Sequence, residues 1–216
     1  MFVGHYAAAF AAKAIEPKAP LWTLAAGCQL IDIGWSGLIM AGVEHAGIDP
    51  TLQGSTLVLY DMPYTHSLPA VLAWSLGAAL LVKLLLRLPL LASVMVGLSV
   101  FSHWVLDFLV HRPDLELWPG GAKVGLGWWN YAVPEQALEI GLVAICGGAW
   151  IAARKTQGRS AWPALALMSF LIGLQIAVMF MPLGAAPMAM GGSALAAYVL
   201  VTALSALADR GRASPR

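Results

Sequence analysis

His103, Asp107 and His111 recur at intervals of four in the stretch Ser102-His103-Trp104-Val105-Leu106-Asp107-Phe108-Leu109-Val110-His111. On a helix that spacing sets imidazole, carboxylate and imidazole along one slowly drifting face. The surrounding residues 88–110 are apolar and numerous enough to cross a bilayer at about 1.5 Å per helical residue. An ionisable pair in such a segment is expensive to desolvate unless a partner, a cavity or a metal compensates, so it marks a functional site by default. Similar misplaced polar residues recur elsewhere. Asp32 sits in the apolar run 21–43, His66 at the head of the run 68–82, and His5 interrupts the alanine-rich start of the chain.

Composition identifies the solvent. Of 216 residues, 60% are hydrophobic and 11% charged, with a mean hydropathy of +0.77. A soluble domain carries roughly one-quarter charged residues, so the chain reads as an integral membrane protein. A net charge of +1, with no basic cluster interleaved with aromatics, argues against a nucleic-acid partner. Cys28 and Cys146 both fall in apolar runs and read as small buried hydrophobes rather than as a disulfide.

The elements that must carry these residues follow from breaks in the apolar pattern. Residues 1–16 have helical propensity but no signal-peptide pattern, and Pro17 and Pro20 end them. Spans are then expected over 21–43, 68–82, 88–110, 132–153, 161–181 and 183–208. Residues 44–65 form a polar connection without Lys or Arg, and Pro69 suits the first turn of the helix that follows. The loop 112–131 carries Trp118, Trp128 and Trp129, which favour a membrane interface. In the last two spans Gly184, Gly191 and Gly192 suit close packing, either as scaffold or as a homo-oligomer contact. The expectation is an all-α, polytopic membrane helix bundle of six transmembrane helices with an N-terminal re-entrant or interfacial helix. It forms one domain, 1–216, in which residues 1–153 bear the metal site and residues 161–208 are scaffold.

With the N-terminus inside, Lys13, Lys18, Lys83, Arg87, Arg154, Lys155, Arg159, Arg210, Arg212 and Arg216 lie on the cytoplasmic side, leaving Arg112 and Lys123 outside. Both termini are then cytoplasmic. Counted from that side, Asp32 lies roughly 15 Å deep, His103 roughly 22 Å, His66 roughly 24 Å and Asp107 roughly 28 Å. A re-entrant helix dipping inward from Pro17 brings His5 to roughly 16 Å, beside Asp32.

His5, Asp32, His66, His103 and Asp107 make a nitrogen and oxygen ligand set suited to zinc, or to iron or manganese. A purely structural polar network is the competing reading, and an ion or proton pathway is a third. His45 sits in the polar connection and reads as solvated. Glu139, one turn into the fourth span, is a candidate extra ligand or general base, with Glu135 second; a carboxylate near a helix N-terminus is the plainer alternative for each.

Gly4-His5, the mid-span Asp32, Thr65-His66-Ser67 and Ser102-His103-x-x-x-Asp107 together resemble the family of membrane-bound metal-dependent hydrolases, over the chain up to about the fourth span. That family is distantly similar to zinc-dependent phospholipase C and related nucleases. The resemblance implies that His5, Asp32, His66, His103 and Asp107 are metal ligands in a bacterial inner-membrane enzyme. It also implies phosphoester hydrolysis by a metal-activated water. Arg112 would meet the phosphate, and Glu139, Asp61 or a metal-bound carboxylate would accept the proton. A site at head-group depth points to a membrane lipid or another amphiphile as substrate.

Overall fold

The computed structural model describes residues 1–180 and 186–210. Gly184, Arg212, Arg216 and the junction between the last two expected spans lie outside the described residues. After a 3-10 turn, Val3–His5, come α1 (Tyr6–Ile15), α2 (Leu21–Cys28) and α3 (Leu30–Met40). A hairpin, β1 (His45–Ile48) and β2 (Leu57–Asp61), precedes α4 (Leu68–Leu85) and α5 (Leu90–Val110). A second small hairpin, β3 (Leu115–Glu116) and β4 (Lys123–Val124), leads to the 3-10 turn Trp128–Asn130. The chain continues through α6 (Ala132–Thr156), α7 (Trp162–Val178) and α8 (Pro187–Asp209).

Local chemistry sets the helix starts. Ser67 caps α4 through its hydroxyl, which accepts from the Ala70 N–H, and Pro69 fills the first turn. Proline also stands in the first turn of α7 and of α8. Each expected span has helix beneath it. α4, α5, α6 and Met188–Asp209 of α8 are long and apolar enough to cross a membrane, and α2 with α3 passes the same test as a pair bent by 50°. α7 is apolar but shorter, at 17 residues. The all-α expectation holds, with the composition and helix lengths of a membrane protein.

Burial is inverted relative to a water-soluble fold. Leu76 is 72% exposed and Ile145 73%, whereas His5, Gln29 and His103 are at 0%. Many large apolar side chains face outward while a cluster of polar ones is enclosed beside the apolar core, the arrangement expected when the surrounding solvent is hydrocarbon.

Three sequence expectations change. The run 21–43 is a broken helix, with Gln29 at the break. The connection 44–65 folds into an antiparallel hairpin, irregular at His45/Ala46, and 112–131 contains the second hairpin. Short β pairing inside polar connections leaves little trace in hydropathy. The third is a narrowing: α1, expected as a re-entrant or interfacial helix, is enclosed, with Tyr6 and Ala9 fully buried and the helix packed on α6, α2 and α5. Its Phe10 ring stacks on Trp150 of α6, with centroids 5.2 Å apart, within the main apolar core.

Candidate metal centre

Asp107, on the last turn of α5, is the hub. Its Oδ2 lies 3.0 Å from Nε2 of His103 and 3.7 Å from Nε2 of His66. Its Oδ1 lies 3.1 Å from Nε2 of His5 and 3.3 Å from Nε2 of His111. Asp32 completes the first set, its Oδ1 being 3.4 Å from Nε2 of both His66 and His103. All five residues of the expected ligand set therefore meet, although they come from the N-terminal turn, α3, the approach to α4, and α5. His111 joins them. Its place on the same helical face as His103 and Asp107 was the signal available in sequence.

Each element is shaped to deliver its residue. The 3-10 turn is held by Glu139 of α6, whose carboxylate accepts the Phe2 N–H at 3.0 Å and the Gly4 N–H at 2.7 Å. That fixes His5, whose ring stacks on His103 with centroids 3.8 Å apart. Gln29 donates to the Phe2 carbonyl at 3.0 Å, tying the same turn to the α2–α3 break. The break frees the Cys28 carbonyl, which accepts from Nδ1 of His103 at 2.8 Å.

The outer hydrogen bonds assign the tautomers. With its Nδ1–H given to the Cys28 carbonyl, neutral His103 presents a lone pair at Nε2. Thr65 gives its one hydroxyl hydrogen to Glu44 at 2.6 Å, so at 2.8 Å it accepts from Nδ1 of His66. Nδ1 of His111 lies 2.8 Å from Oδ1 of Asp114, a carboxylate that can only accept when ionised. Three imidazoles thus aim Nε2 at the oxygens of Asp32 and Asp107. As neutral rings they present lone pairs there and need a cation between; as imidazolium rings they would donate to the carboxylates directly.

The spacing fits a cation. Bonds of about 2.0–2.1 Å in a tetrahedral zinc site put ligand atoms roughly 3.3 Å from one another. The four histidine–carboxylate distances among Asp32 Oδ1, His66 Nε2, His103 Nε2 and Asp107 Oδ2 bracket that value, at 3.0 to 3.7 Å. Their orientations fit as well. His103 Nε2 is buried beside two carboxylates yet makes no hydrogen bond, and neither nitrogen of His5 makes one. The geometry offers two overlapping ligand groups, His5–His103–Asp107 and Asp32–His66–His103. His103 belongs to both, and Asp107 approaches the second through Oδ2, 3.7 Å from Nε2 of His66. The Nδ1 contacts supply the outer hydrogen bonds that hold metal-ligating histidines in orientation.

Tyr198 of α8 donates to Oδ2 of Asp32 at 2.9 Å, leaving Oδ1 toward the cluster. Asp32 is the most accessible of the five, its side chain 13% exposed against 3% or less for the others.

Other residues singled out in sequence lie elsewhere. Asp61 ends β2 and pairs with His45 at 2.9 Å, both side chains about half exposed, so His45 has an acidic partner at the surface. Arg112 directs its guanidinium to Asn130 and to the carbonyls of Gln53, Ser55 and Leu57. Every donor nitrogen is engaged, which makes Arg112 a clamp between the two hairpin regions rather than a free phosphate ligand. Glu139 carries the N-terminal turn on both oxygens, and that work displaces the general-base role expected for it. Glu135 bonds Gln136 at 2.7 Å. Sequence reading passed over Glu44, Asp114 and Tyr198, and took Thr65 only as part of the Thr65-His66-Ser67 motif. Glu44 and Asp114 are polar residues bounding apolar runs, and nothing marked Tyr198.

Comparison with family models, with curated proteins and with solved structures gives no match to this chain.

Proposed function

We propose that the chain is a membrane-embedded, metal-dependent hydrolase acting on the phosphoester of a lipid or similar amphiphile, with zinc, or manganese or iron, held by His5, Asp32, His66, His103, Asp107 and His111. The observation that carries this reading is the convergence of four imidazole Nε2 atoms on two buried carboxylates, with those of His5 and His103 enclosed and making no hydrogen bond. Asp107 has a different partner set at each oxygen: His5, His111 and the Met1 ammonium at Oδ1, and His66 and His103 at Oδ2, the side it shares with Asp32 and the one that suits a cation. Held there, a divalent cation would lower the pKa of water toward neutrality and polarise an ester oxygen.

The chain's own residues supply the rest. Asp32, anchored on Oδ2 by Tyr198 and the most open of the acids, is placed to take a proton from incoming water and pass it outward. A cation held by the histidines and aspartates would bring positive charge to an anionic head group. The resemblance to the membrane-bound metal-dependent hydrolases supports the same chemistry. Placement in a bacterial inner membrane as six spans, both termini cytoplasmic, agrees with the clustering of Lys13, Arg154, Arg159 and Asp209 at the end of the bundle away from the histidines.

The test is release of the phosphorylated head group from a phospholipid in detergent micelles or nanodiscs. Turnover should appear in the zinc- or manganese-loaded protein, stop with chelation, and vanish in Asp107→Ala. Ion flux across sealed vesicles without ester cleavage would overturn the hydrolase reading in favour of transport.

A further inference from the structure

An apolar groove of about 750 Å³ runs between α2–α3 and α4 and is floored by α5. Ala73, Gly77 and Leu81 form one wall, Ala26 and Leu30 face them, and Val96 lies beneath. α4 lies along α5 but touches α3 only near its top, and the splay between them opens the groove. Two polar groups on its walls are already used: Thr23 bonds the Pro20 carbonyl at 2.7 Å, and the Trp74 indole donates to the Tyr64 carbonyl at 3.0 Å. The lining therefore suits hydrocarbon.

The upper end of the groove lies one side chain from the cluster: Tyr64 and Trp74 line it, and the adjacent Thr65 holds Nδ1 of His66 at 2.8 Å, while none of the candidate ligands lines the groove itself. At that end Gly34 lets α3 approach so closely that an added Cβ would reach Thr65 and the Trp74 ring at 3.4 Å. The other end reaches Leu86. From Ala70 to Leu86 the groove follows α4 for about 24 Å, more than the ~15 Å depth of one hydrocarbon leaflet. A tail lying in it would be held along its whole length, with its head group at the histidines.

We propose that this groove binds one hydrocarbon tail of the amphiphile whose anionic head group occupies the metal centre, a step that rests on the hydrolase reading above. Bulk placed at Gly77 is the direct probe, because an added Cβ there meets nothing within 4 Å and the side chain enters open space.

The experiment uses the full chain in phosphatidylcholine nanodiscs with a phosphatidic acid bearing a diazirine at the end of one tail. Crosslinks are mapped by mass spectrometry, and metal content is measured on the same samples. Labels should concentrate on the lower groove, at Leu81, Val82 and Leu85. Gly77→Trp and the milder Gly77→Leu should each reduce them, the larger change by roughly ten-fold, the scale on which an apolar pocket discriminates size. Leu98→Trp, outside the groove on the outward face of α5, should leave them unchanged. Even labelling of Leu98, Ile145 and Val199 with the groove residues would mean annular lipid only and overturn the proposal, whatever the metal content. Groove labelling in a protein that binds no metal would support the tail site and overturn the hydrolase reading.

Discussion

At the scale of single residues, the centre depends on groups that fix direction as much as on those that would touch a cation. Thr65→Val removes the acceptor for His66 Nδ1, and Asp114→Asn weakens the one for His111. Each should lower zinc affinity by about 10–100-fold, read by competition with a chromogenic chelator, while the helical circular dichroism stays unchanged. Tyr198→Phe frees Oδ2 of Asp32 and should act more weakly on affinity than on turnover. Much of this layer was legible in sequence, because a histidine or aspartate inside an apolar run is conspicuous. Asp61 and Arg112 stand close in sequence to the motif residues, and that nearness misleads. Strand pairing and carbonyl bonding take both away from the cluster, and hydropathy cannot foresee either.

At the scale of elements, two irregularities position the site. The break at Gln29 releases the Cys28 carbonyl to His103 and turns Asp32 toward the cluster. A straight helix would have used that carbonyl internally, and its apolar pattern would look the same, which is why the run 21–43 reads as continuous. The second irregularity is the β1–β2 connection. Gly54, at φ +70°, is pressed on the carbonyl of Trp129, whose ring stacks on His111 at 4.0 Å. A methyl group added there would collide with that carbonyl and carry a strained backbone. Gly54→Ala should therefore destabilise the protein by about 1–3 kcal/mol and weaken metal binding through His111, measurable as a lower thermal midpoint with metal present. The hairpin itself was not legible, being short and polar.

At the scale of the whole molecule, α1 is fastened at both ends. Glu139 holds the turn that bears His5, and at the far end Lys13 bonds Asp209 of α8 at 2.9 Å together with the carbonyls of Pro17 and Ala19. Asp209 also accepts the Leu21 N–H at 2.9 Å and pairs with Arg159. α8 thus joins the lock at one end and steadies Asp32 at the other, more than the scaffold expected of it. Asp209→Ala strands the largely buried Lys13 ammonium and should cost about 3–5 kcal/mol, seen as a lower unfolding midpoint. Well below that midpoint the variant should keep the metal stoichiometry of the native chain, which separates the lock from the site. The six apolar runs and their order could be read from hydropathy alone; the inward course of α1 depended on a depth count for His5, and the packing of α1 on α2, α5 and α6 agrees with that course.

The most direct measurement is the metal content of the detergent-purified protein, by elemental analysis, beside His103→Ala and Asp107→Ala. Zinc, manganese or iron at about one to two equivalents per chain should be found. His103→Ala should lose all of it, because both ligand groups include that imidazole, and Asp107→Ala should lose most. A folded native chain that carries no metal and takes up none when zinc is supplied would contradict the metal centre, and the buried histidines and aspartates would stand as a structural network.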